Sequence, residues 1–82
     1  MKYLLTKHAQ ERMAERSIDI NIIESALVDP TKIEYDGNGS CLIKKLFLKN
    51  NSPRLLLIAG KLENNQIKIF TVIETSKIKK YL

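Results

Sequence analysis

Apolar residues recur at helical spacing in the first third of the chain and at strand spacing after it. In "KHAQERMAER", residues 7–16, Ala9 and Met13 stand four apart among good helix formers. Thr6, just before them, can accept from a free N–H at the helix start. The pattern predicts a helix over 7–16, and "RSID" breaks it. Asp19 then caps a second helix over 20–28. Ile18 and Ile23 are spaced to staple its first turn, and Ile22, Ile23, Ala26 and Leu27 form its apolar stripe. Pro30 ends that helix, because it disfavours helical geometry at Asp29 and lacks an N–H.

From Thr31 the period changes to two. "TKIEY" predicts a short strand, and "DGNG" a turn with two glycines free to take positive φ. "CLIKKLFL" predicts a second strand, whose adjacent Lys44 and Lys45 break the alternation and suggest a bulge or an edge. "KNNSP" reads as a loop. "RLLLIAGK" is apolar on both faces and predicts a central strand. After "ENNQ", "IKIFTVIET" places Ile67, Ile69, Thr71 and Ile73 on one face and Phe70 and Val72 on the other.

Helices followed by hairpin-connected strands predict an α+β fold: two N-terminal helices packed on a four-stranded antiparallel sheet. A chain of 82 residues holds one core, so residues 1–82 form a single domain. The closing "TSKIKKYL" fits either a docked strand end or a mobile basic tail.

Charge adds a direction. The net charge is +5, but residues 1–41 carry five basic and seven acidic groups, while residues 42–82 carry nine basic and two acidic. A half with that excess attracts polyanions, nucleic acid first; lysines also solubilise strand faces and blunt sheet edges. One histidine and one cysteine cannot supply a zinc site, so no metal and no cofactor are expected. Cys41 reads as a small buried apolar residue. "MKYLL" is too short an apolar run for a signal peptide, and no stretch is long enough to span a membrane. The cytoplasm is the expected compartment.

The candidate chemistry lies in the first helix. His8, Arg12 and Arg16 follow at steps of four, forming one inclined row that climbs about 6 Å per step. Ala9 and Met13 flank the row on the core side, which puts it at the rim. Histidine can move a proton near neutrality, and arginine binds phosphate with a planar fork. Together they suit cleavage of RNA through its own 2′-hydroxyl, without a metal. The same spacing also serves an ordinary surface helix, through pairs such as Arg12 with Glu15 and Lys7 with Glu11.

"LTKHAQERMAER", the glycine turn and the closing "TVIETSKIKKYL" resemble small bacterial domains of unknown function grouped with the RelE/ParE-like toxins. More broadly, they resemble the barnase, EndoU, colicin and RelE ribonuclease fold. The resemblance implies a metal-independent ribonuclease-like fold and the toxin of a toxin–antitoxin pair, held inactive by a small partner protein. Mapped by position, it points to His8, Arg12 and Arg16 with Thr75, Ser76 and Lys77 as catalytic residues. Arg54, Lys79 and Lys80 are candidate RNA-binding residues. The alternatives are a non-catalytic module, either a ParE-like poison of a protein target or a nucleic-acid binder, and a homodimer formed through an open sheet edge or the "LLLIAG" strand.

Overall fold

The computed structural model describes residues 2–82. Both expected helices form: α1 spans Lys7–Arg16 and α2 spans Ile20–Val28. Thr6 accepts from the Ala9 N–H at 3.2 Å, and Asp19 accepts from the Asn21 N–H at 2.9 Å, so each predicted cap is made. Ser17 ends α1 in the left-handed conformation, and the next N–H, of Ile18, donates back to the Met13 carbonyl at 2.9 Å.

Among the described residues five strands build one sheet, not four. β1 (Lys2–Leu5) precedes the helices, followed after them by β2 (Lys32–Tyr35), β3 (Ser40–Lys49), β4 (Ser52–Glu63) and β5 (Gln66–Thr75). The order is β1-β5-β4-β3-β2. The three hairpin pairings are antiparallel as expected, but β1 lies parallel to β5, with Tyr3 beside Ile67 and Leu5 beside Ile69. The sheet is therefore mixed, and the helices are not the first elements. "KYLL" carries too few residues to announce a strand, and its partner lies more than sixty positions away.

The turns are tighter than their sequences suggest. Asn50 and Asn51 take positive φ in a two-residue hairpin turn, so β4 starts at Ser52, inside the expected loop. Pro53 fits there because β5 pairs only from Leu55 onward, leaving Pro53 without a neighbour on that side. Gly37 and Gly39 adopt φ of 85° and 93° in the predicted turn.

Two expectations about side-chain direction fail. The register of β5 against β4 shifts between Ala59 and Gly60, so Thr71 pairs with Ala59 and Ile69 with Gly60, leaving Phe70 as an extra residue. Facing then inverts. Ile67, Ile69, Val72 and Glu74 share the helix-bearing face, whereas Thr71, Ile73 and Thr75 point to the other. Gly60 is required at this bulge: a Cβ would stand 2.6 Å from the Lys68 carbonyl oxygen. By contrast, β3 pairs with β4 without a shift through Lys44 and Lys45, so no bulge forms there; β2 flanks β3 only as far as Lys44, and from Lys45 onward the strand has no strand partner on that side.

The core fills the space under the helices. Ala9, Ile23 and Ala26 meet Ile43, Leu56, Ile58, Ile67, Ile69 and Val72, all almost wholly buried. Each large aliphatic side chain there contributes about 1.5–3 kcal/mol. α1 packs chiefly on β5 and α2 on β3. The opposite face carries a third helix, α3 (Ile78–Tyr81), so the closing segment is neither strand nor tail. Lys44, 5% exposed, donates to the Tyr81 carbonyl and pairs with Glu34 at 2.9 Å; Lys32 donates to Leu82 at 3.2 Å.

Candidate functional site

The position of α1 is fixed by its cap. The Thr6 N–H donates to the Ile69 carbonyl at 3.1 Å, and the Thr6 hydroxyl donates to the Phe70 carbonyl at 3.2 Å. The helix thus starts on the β5 bulge. At its other end, Ser17, Ile18 and Asp19 share a hollow of about 170 Å³ with Phe47, Lys49 and Glu74. α1 therefore runs alongside β5, from Phe70 towards Glu74. At about 1.5 Å per residue, Arg16 lies about 12 Å beyond His8 along the axis.

That direction assigns each row member a level. His8 is exposed near the bulge. Arg12 is half-buried, and its guanidinium reaches Glu15 at 3.9 Å, a contact whose side chains are 40% and 61% exposed. Such an exposed pair contributes well under about 1 kcal/mol and leaves Arg12 available to an anion. Arg16 is exposed at the Glu74 end.

At that same end the helix-bearing face carries a cluster that the sequence did not announce. The Glu74 side chain is 8% exposed and takes the Arg54 Nη2 at 3.2 Å and the Lys49 ammonium at 3.2 and 3.3 Å. Arg54 Nε is buried without a hydrogen-bond partner. An unmet buried donor costs about 1–3 kcal/mol. Two cations therefore share one carboxylate. Strict alternation along β5 puts Glu74 on the opposite face, and the bulge brings it to this one. Lys49, expected in the "KNNSP" loop, instead closes β3.

The hydroxyl-bearing end of β5 turns away from the row. Thr75 lies opposite Leu55 and shares the facing of Ile73, on the α3 side of the sheet. Its hydroxyl accepts from the Lys77 N–H at 3.1 Å, and the Ile78 N–H donates to the Ser76 carbonyl at 2.9 Å. These bonds turn the chain into α3. Lys79 and Lys80 are exposed on α3, with the Lys80 ammonium 5.3 Å from the Tyr81 ring centre. The structure thus brings Arg16 and Arg54 to one end of the helix-bearing face, with Arg12 one turn away. Thr75, Lys79 and Lys80 belong to the other side.

Elsewhere the polar chemistry is local. Hydrogen bonding to Glu24, then desolvation, pushes the Tyr3 hydroxyl up. Burial, then the Asp36 charge, pushes the Cys41 thiol up, as suits its packing role. Among the described residues no three His, Cys, Asp or Glu side chains gather as metal ligands, and no helix is long and apolar enough to cross a membrane.

Neither a curated protein nor a solved structure matches the chain. One family does, over residues 5–77, from the last residue of β1 to the turn before α3. The chain belongs to that family, described as a domain of unknown function (DUF4258).

Proposed function

We propose that the chain is a toxin-type, metal-independent ribonuclease whose RNA lies along the helix-bearing face. One observation carries this reading: the α1 cap is bonded to the β5 bulge, which lays His8, Arg12 and Arg16 on a line leading towards Arg54 and Lys49. The resemblance to RelE/ParE-like toxins supports the same class, as does the basic second half of the chain. In this reading His8 takes the proton from a ribose 2′-hydroxyl. The 2′-oxygen forms a bond to phosphorus, the bond to the 5′-oxygen breaks, and that oxygen takes a proton from water. Arg12 and Arg16 bind the phosphate as charge accumulates on it, and Arg54 holds a neighbouring phosphate.

Ser76 and Thr75 act through the turn that starts α3, and Lys77, Lys79 and Lys80 draw RNA in from a distance. A small acidic partner protein covering the row would silence the activity, and the cytoplasm is where its RNA would be met. His8→Ala and Arg12→Ala test the assignment: each is expected to lower cleavage of RNA by about 10²–10³ while leaving stability nearly unchanged. Full cleavage in both variants would refute it.

A second reading draws on the placement of Thr75, which leaves the row without a hydroxyl-bearing strand end beside it. It is a nucleic-acid-binding module that does not cut. Binding would then weaken steeply with salt, and RNA would stay intact in the wild-type protein.

A further inference from the structure

We infer that the β3–β4 hairpin end is a binding site for a phosphate dianion, gripped by Lys49 and Arg54. The site stands whether or not the chain cleaves RNA.

A hollow of about 300 Å³ opens there, lined by Lys49, Asn50, Ser52 and Arg54. Its shape comes from the two-residue turn: Asn50 and Asn51 at φ of 52° and 65° reverse the chain sharply, so Lys49 and Ser52 face each other in register. Lys49 and Arg54 project from the helix-bearing face of adjacent strands, two register positions apart.

The donors of this hollow are only partly used. Glu74 takes one guanidinium nitrogen of Arg54 and the ammonium of Lys49, so one negative charge serves two positive ones. Arg54 Nε is buried without an acceptor. The Arg54 and Lys49 side chains remain 32% and 43% exposed, and both line the hollow. A planar guanidinium with free donors beside an ammonium and a serine hydroxyl matches tetrahedral oxygens. The cluster of Lys49, Arg54 and Glu74 carries one excess positive charge, which a monoanion already offsets; the second charge of a dianion is what competes with Glu74 for the two cations. The Glu74 carboxylate opposes binding, and its removal should therefore strengthen it. Such a ligand is either free phosphate or the terminal phosphate of an RNA strand.

The test is a titration of the full chain with inorganic phosphate, followed by ¹H–¹⁵N spectra that include the Arg54 Nε–H. Saturable shifts at Lys49, Asn50, Ser52 and Arg54 are expected, weakened about tenfold or more in Lys49→Ser and in Arg54→Gln. Glu74→Gln is expected to bind more tightly. If that variant does not fold, Lys49→Ser alone decides. Shifts spread evenly over the lysines, or equal affinity in Lys49→Ser, would overturn the site. A 5′-phosphorylated oligoribonucleotide compared with its 5′-hydroxyl counterpart separates the sources: preference for the phosphorylated strand assigns an RNA end, and equal binding assigns free phosphate. Failure of these titrations leaves the His8 and Arg12 cleavage assay untouched.

Discussion

Lys44 and Lys45 are neighbours in β3, yet the strand sends them to opposite faces of the sheet, where each holds the end of a helix. Lys45 donates to the Asp29 carbonyl at 2.6 Å, at the close of α2, with a side chain 17% exposed. Lys44, its side chain 6% exposed, donates to the Tyr81 carbonyl at the close of α3 and pairs with Glu34. Both exploit the unmet carbonyls and negative dipole end of a helix terminus. They differ in what else holds the helix. α2 is seated by Ile23, Ala26 and Leu27 in the main core, whereas α3 has no buried residue of its own. A polar tie is auxiliary on one face and principal on the other.

Ile58→Ala, in the core beneath the helices, should cost about 2–5 kcal/mol in denaturant unfolding. Lys44→Met should cost about 1–3 kcal/mol and speed amide exchange across residues 78–82. Lys45→Met should cost about 0.5–1 kcal/mol without exposing α2, because the apolar stripe remains. Equal losses for the two lysines, or unchanged exchange in α3, would erase the distinction between the faces.

Acidification sharpens it further. A hydrogen bond to Lys44, then its charge, holds the Glu34 carboxyl below the usual glutamate range, with Lys32 adding to the effect. A lowered carboxyl stabilises the fold at pH values above its ordinary range. That contribution fades as pH falls through the lowered value. Stability of the wild-type chain should therefore drop more steeply in acid than that of Glu34→Gln, and parallel curves would contradict the pairing.

Much of the helix-bearing face was legible in the sequence, because local chemistry decides it. Thr6 and Asp19 cap as their hydroxyl and carboxylate dictate, and Ile18, Ile23 and Leu27 bury as their spacing requires. The other face depended on distant pairings. β1 is a strand only because β5 lies beside it, and the Phe70 bulge inverts the facing of everything after it. Glu74 and Thr75 exchanged sides for that reason alone. Adjacent lysines in β3 look like an irregularity until α3 supplies a carbonyl for one of them. The row of His8, Arg12 and Arg16 was legible as spacing; its alignment with β5 was not, since a hydrogen bond across sixty-four positions sets it.

In the proposed reaction a ribose 2′-hydroxyl on the helix-bearing face attacks the adjacent 3′-phosphate. Mapping the ends of RNA incubated with the purified chain in EDTA tests it most directly. The expected products are 2′,3′-cyclic phosphate and 5′-hydroxyl ends, with both lost in His8→Ala. Intact RNA, or 5′-phosphate ends that appear only when magnesium is added, would contradict it.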